Sequence, residues 1–166
     1  TILTQWRRGL NALDAARAPA AGKADCLGGA QPNVLIDCCP YMGVLALNAV
    51  FACDLLLIPI STDYLSMQAA DQMARTLTSL EPVLKRRLER RYLLTRYDRR
   101  RRMSDEIQSQ LRERYGDEVC QTIIYENVSI AESPAKKLDI FSHNPASRGA
   151  ADYADLQREL QQQGFL

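Results

Sequence analysis

VLIDCCPYMGVLALNAVFACDLLLIPI, residues 34–60, sets two apolar runs around a stretch with helical spacing. Residues 33–36 read as a short buried strand, with Asp37 directly after it. Met42 to Cys53 suits a short helix. DLLLIPI, residues 54–60, reads as a second strand, apolar at both alternating sets of positions. Such a strand needs cover on both faces, the situation of a parallel sheet between helices.

Working outward, the alternation continues. Residues 64–80 read as a helix, and Glu81-Pro82 marks a break or a new helical start. RYLLT, 91–95, is a third expected strand, and residues 103–115 a helix ended by Gly116. VCQTIIY, 119–125, is a fourth strand, and a last helix is expected from Ser147 to Gln162. Upstream, Leu3, Trp6, Leu10 and Leu13 recur at helical spacing over residues 3–17, with Trp6 read as a packing residue. Residues 18–32 are rich in Ala, Gly and Pro and read as a loop. Strands alternating with helices imply right-handed βαβ units. The expected fold is therefore α/β, with a mostly parallel, doubly wound sheet in a single domain over 1–166. Within it, 1–32 forms the helix and loop and 33–166 the sheet-bearing part.

Composition narrows the class. The 166 residues are 46% hydrophobic and 25% charged with a net charge of +1, the balance of an ordinary soluble domain. No apolar run reaches the ~18 residues of a membrane span, and TILTQWRRGL lacks the apolar core of a signal peptide. Cys26, Cys38, Cys39, Cys53 and Cys120 have no CxxC spacing, which argues against structural zinc. They read as reduced thiols, packed as small hydrophobes, in a cytoplasmic protein. His143, the single histidine, sits in a polar loop without metal-ligand spacing.

In open parallel sheets, ligands bind beyond the carboxyl ends of the strands, where Asp37 is expected. A carboxylate there either holds Mg²⁺, directly or through water, or forms a turn or helix cap.

Several ordered motifs resemble the ParA/MinD family of deviant P-loop ATPases, in particular the Soj-like plasmid and chromosome partition branch. Asp37-Cys38-Cys39-Pro40 is similar to that family's Asp-Cys-Pro-Pro, with Cys39 in place of the first proline. Leu47-Asn48-Ala49, Leu57-Ile58-Pro59 and Asp63-Tyr64 follow in the family's order. So do LLTRYD (93–98), IIYENVSIAESPA (123–135) and SRGAADYADLQREL (147–160). The resemblance implies a P-loop NTPase fold, ATP and Mg²⁺ as cofactors, and ATP-dependent dimerisation. It implies that Asp37 is the catalytic carboxylate orienting Mg²⁺, mostly through water. Asp98 would face the adenine, and Tyr125, Glu126 and Asn127 would line base and ribose. Asp63 would lie near the site mouth or cap the helix after it. The family's phosphate loop has no counterpart here: no Gly-Lys-Thr or Gly-Lys-Ser occurs, and AAGKADCLGGA has neither the spacing nor the hydroxyl. Two readings stay open, the C-terminal portion of a longer ATPase without its N-terminal strands, which is favoured, or a degenerate, non-hydrolysing scaffold or DNA-binding protein.

KRRLERRYLLTRYDRRRR, 85–102, holds ten basic residues against Glu89 and Asp98. It reads either as a solvated helix end and loop or as a patch for phosphate backbones. Arg99, Arg100, Arg101 and Arg102 are the expected contacts to non-specific DNA. In the partition branch a DNA-binding basic residue falls at Arg100, whereas two other such positions are Glu126 and Ser129 here. The resemblance also implies a ParB-like centromere-binding adaptor and a nucleoid-associated cytoplasmic homodimer. The tail ADYADLQRELQQQGFL has no lysine cluster, so no membrane partner is expected.

Overall fold

The computed structural model describes residues 34–38 and 42–165. The helix expected over 3–17, the loop over 18–32, Cys26, Cys39 and Pro40 lie outside the described residues. The chain divides into two units, Thr1–Asp54 and Leu55–Leu166.

In the first unit, residues 34–38 have no regular structure, and Val34 and Leu35 are exposed. The buried strand expected there is not formed. A strand needs a neighbouring backbone to take its N–H and C=O groups, and no described residue pairs with this segment. Cys38 is exposed, contrary to its expected packing as a small hydrophobe. The helix that follows, α1, spans Val44–Ala52 and buries Ala46, Ala49 and Val50, the spacing of one helical face. It ends where the Cys53 N–H donates to the Ala49 carbonyl at 2.8 Å.

In the second unit, β1 (Leu55–Ser61) and β2 (Glu89–Thr95) pair in parallel, with Leu55 opposite Glu89 and Ser61 opposite Thr95. The crossover between them is α2 (Tyr64–Leu84). Asp63 caps α2, accepting from the Ser66 N–H and hydroxyl at 2.8 Å each. The helix does not break at Pro82. Proline there removes only the bond to the carbonyl four residues back, and α2 ends two residues later at Leu84, followed by Lys85 in a left-handed conformation.

β2 is followed by α3 (Arg102–Tyr115), which buries Ser104, Ile107 and Leu111. Gly116 ends it at φ 50, a backbone that a Cβ would strain. A 3-10 turn (Gly116–Glu118) leads to residues 119–125. Beyond lie three further helices, α4 (Val128–Glu132), α5 (Ile140–His143) and α6 (Arg148–Gln162). His143 therefore closes a one-turn helix rather than standing in a loop, with Nε2 3.8 Å from Glu132.

The two faces of β2 carry two cores. Tyr92 and Leu94 pack with Ile60 against Met67 and Ala70 of α2 and Ile107 and Leu111 of α3. Leu93, between them in sequence, packs on the other face with Cys120, Ile124, Phe165 and Leu156 and Leu160 of α6. A period of two along β2 thus puts helices on both sides of a parallel sheet, the α/β layering expected from the sequence. Among the described residues no helix is long and apolar enough to cross a membrane.

Residues 119–125 lie along the free edge of β2 without forming a continuous strand. Bridges occur at Tyr92–Val119 and Tyr97–Tyr125, both parallel. The Cys120 N–H donates to Tyr92 O and the Ile124 N–H to Leu94 O, both at 2.9 Å. Four residues are thus spent against two, and the middle bulges out. Glu159 of α6 takes the diverted donors, its carboxylate accepting from the Gln121 and Thr122 N–H groups at 2.7 Å each.

Burial alone would raise the Glu159 pKa, but the bonds from Thr122 and Gln121 hold it below the usual carboxylate value. A lowered folded pKa means its contribution is complete above the unfolded value of ~4.3 and is lost as pH falls through the folded one. Glu159→Gln, which takes the charge from both bonds and sets an NH2 donor against one of the two N–H groups, is expected to cost about 1–2 kcal/mol at pH 7. The variant should also lose less stability than the parent between pH 5 and 3. Urea titrations at each pH measure both effects.

Candidate functional site

The carboxyl ends of β2 and of the 119–125 segment meet in one loop cluster. Arg96, the residue after β2, is left-handed at φ 53 and turns the chain. The Thr62 hydroxyl, just past β1, holds that turn by donating to Arg96 O at 3.2 Å. Thr62 in turn accepts from the fully buried Ser104 hydroxyl at 3.2 Å. Tyr97 then pairs with Tyr125, its carbonyl accepting from the Glu126 N–H at 3.0 Å. The Tyr97 hydroxyl donates towards Asp105 and Gln108 of α3. The bond to Asp105, with burial behind it, pushes the Tyr97 pKa up to about 12.

Every arginine of the 99–102 run has an intramolecular partner. Arg100 clasps Asp98 through Nε and Nη2 at 3.0 Å each, while its N–H donates to the same carboxylate at 3.0 Å. Arg101 reaches Asp98 at 3.5 Å and Glu126 at 3.8 Å, and Arg96 reaches Glu126 at 3.8 Å. Arg102 pairs with Glu106 of α3 at 3.0 Å. Arg99 lies over the Tyr125 ring, 4.8 Å from its centroid, and donates to the Tyr125 hydroxyl at 3.1 Å. The Arg100 side chain and then its N–H hold Asp98 down to about 2, so this group is an ionised acceptor at neutral pH. The Arg100 and Arg102 side chains are about nine-tenths exposed. Their pairs are surface ion pairs, of the kind that contributes little to stability and is open to exchange with a phosphate.

The structure thus brings Asp98, Arg99, Arg100, Arg101, Tyr125 and Glu126 together, with Arg102 at the start of α3. Asn127 follows as the cap of α4, its side chain accepting from the Ser129 N–H at 2.8 Å. Asp63 is the cap of α2. Asp37 belongs to the other unit, where it is exposed in the irregular segment.

Two members of the cluster were not singled out from the sequence. Arg148, at the start of α6, covers the Tyr125 ring at 3.4 Å from its centroid, so Tyr125 carries two guanidinium groups. Asp152 accepts the Tyr125 N–H at 2.9 Å and stands 3.7 Å from Arg148. The signal for them was an i,i+4 Arg/Asp pair whose aspartate falls on the buried face of a helix.

A family model described as an AAA domain matches residues 32–90. The chromosome partitioning protein ParA of Caulobacter vibrioides is 32% identical over 133 residues, 80% of this chain and 50% of that protein. The sporulation initiation inhibitor protein Soj of Bacillus subtilis is 31% identical over 132 residues, 79% of this chain and 52% of the relative. The chromosome-partitioning ATPase Soj of Thermus thermophilus is 31% identical over 149 residues, 89% of this chain and 60% of the relative. The chain belongs to the ParA/Soj family. As a ParA/Soj chain it spans about half the length of the curated relatives it matches. The stretch covered by the AAA domain model runs from the Asp37 segment through β1 and α2 into the start of β2, and the arginine loop lies beyond the end of that strand.

Proposed function

We propose that this chain is part of a ParA-like partition ATPase, acting in plasmid or chromosome segregation through ATP-dependent dimerisation and non-specific DNA binding. The observation that supports the reading is the interlocking at the carboxyl end of β2. Asp98, Tyr125 and Glu126, the residues assigned to the nucleotide, are also those that hold Arg99, Arg100 and Arg101.

The residues suit the cofactors that this reading requires. Asp98, ionised at neutral pH, is an acceptor for the exocyclic amine of adenine, with Tyr125, Glu126 and Asn127 beside it for base and ribose. Mg²⁺ keeps much of its water and takes one or two carboxylates plus substrate phosphates. Asp37 is the carboxylate assigned to it, mainly through water, and the ion supplies charge neutralisation at the γ-phosphate. Arg99–Arg102 are assigned to duplex phosphates. The protein partner is a ParB-like centromere-binding adaptor that stimulates hydrolysis, and the place of action is the nucleoid in the cytoplasm.

Titration of a fluorescent ATP analogue with Mg²⁺ into the full-length protein tests the reading. Asp37→Ala is expected to keep analogue binding within about threefold while ATP hydrolysis falls by about 100-fold or more. Unchanged hydrolysis removes Asp37 from its role. Absence of nucleotide binding by the intact, folded protein favours a non-hydrolysing ParA-like scaffold instead.

A further inference from the structure

At the amino end of the strands, opposite the arginine loop, the C-terminal parts of α2 and α3 leave a cavity of about 790 Å³ over the start of β2. Arg90 and Tyr92 of β2 line it, and both are buried. Arg90 Nη1 and the Tyr92 hydroxyl have no hydrogen-bond partner among the described residues. The rest of the Arg90 guanidinium is committed, with Nε on Glu118 at 3.2 Å and Nη2 at 3.7 Å from Glu81. Glu118 also takes Arg87 at 2.6 Å. Arg75 of α2 lines the same cavity, and its guanidinium acts on Asp71 through charge rather than through a hydrogen bond. Four arginines, Arg75, Arg87, Arg90 and Arg114, line it with Asp117 and Glu118, while Asp71 and Glu81, which do not line it, pair with Arg114 and Arg90.

A buried donor without an acceptor is costly, and native interiors rarely tolerate one. Here two stand at one cavity beside the Arg75 guanidinium, and one buried acceptor, Glu81 Oε1, also lacks a hydrogen bond, 3.7 Å from Arg90 Nη2. A planar guanidinium edge and a hydroxyl are the complement of an oxyanion. We propose that this cavity is a binding site for a small oxyanion, a phosphate or carboxylate group, held by Arg90 Nη1, the Tyr92 hydroxyl and the Arg75 guanidinium. Burial pushes the Tyr92 hydroxyl up to about 12, so it stays a donor throughout the neutral range. Neither the nucleotide residues nor the DNA residues enter the argument, and the site stands whether or not the partition reading does.

The test is thermal unfolding of the full chain in inorganic phosphate, in acetate and in chloride, at one ionic strength and pH. Phosphate or acetate is expected to raise Tm over chloride by about 3 °C or more at saturation, and whichever acts identifies the source of the oxyanion. Two variants keep the fold. Arg75→Ala changes a residue of the α2 surface, and Tyr92→Phe deletes a hydroxyl with no partner while retaining the ring stacked on Tyr115 at 4.1 Å. Both should reduce the rise by half or more. The Arg99–Arg102→Ala variant should keep it in full, since those residues lie at the other end of the sheet. No rise over chloride with either anion overturns the proposal. So does a rise that both cavity variants retain, or one that disappears with the arginine loop.

Discussion

Leu111→Ala lowers the unfolding free energy by about 2–5 kcal/mol, read as a shift in the urea midpoint at unchanged slope. Leu111 has no exposed surface and sits in the core cluster between α3, α2 and the first face of β2. Tyr92, Ile60, Met67 and Val119 belong to the same cluster, so the vacated volume is walled by side chains from both strands, a helix and the 119–125 segment. Elements held from several sides do not collapse into a hole, which places the cost in the upper part of the range. Exposed Leu65, on α2, serves as the contrast, and its alanine variant should stay within about 0.5 kcal/mol of the parent. A loss below about 1 kcal/mol for Leu111→Ala would mean that α3 does not pack on β2 as described.

Alanine at Arg99, Arg100, Arg101 and Arg102 together weakens duplex binding by about tenfold or more near 100 mM salt and flattens its salt dependence. Each phosphate contact adds about 0.9 to the slope of log K against log salt, so the quadruple variant should lose up to about 3–4. Sequence should not matter, because no base-reading arrangement accompanies the arginines. Asp98→Asn moves the other way. It removes the carboxylate that engages Arg100 and Arg101, and duplex affinity should rise several-fold at low salt. Asp155→Asn, which releases the ion-paired Arg158 on α6, controls for net charge alone. Fluorescence anisotropy with a random-sequence duplex at three salt concentrations reads all four proteins. Equal affinity and slope for the parent and the quadruple variant would rule the loop out as the DNA surface.

The sheet of the second unit was legible wherever local patterning and final burial coincide. β1 and β2 lie within two residues of their expected bounds because their apolar positions are buried by elements adjacent in sequence. α2, α3 and α6 followed from 3.6-residue spacing for the same reason. The two misread strands share one cause. Residues 33–36 carry the same apolar signal as β1, but a strand is a relation to a partner, and no local pattern encodes the partner. Residues 119–125 have a partner in β2, yet two of their N–H groups go to Glu159, 37 and 38 residues along the chain. At the loop cluster, the arginine run and Asp98 were visible as charge. That the charge is closed into pairs, and that Arg148 covers Tyr125, required the fold to bring α6 beside the end of β2.

The hoop that carries the arginines is pinned at its base. Thr62 holds Arg96, Ser104 holds Thr62, and the N–H groups of Arg101 and Ser104 donate to Asp98 O and Arg101 O at 3.0 and 2.9 Å. A polyanion arriving there meets a finished backbone and needs only to reorient side chains. Association should therefore proceed without coupled folding, with a small heat-capacity change and an encounter rate governed by electrostatic steering.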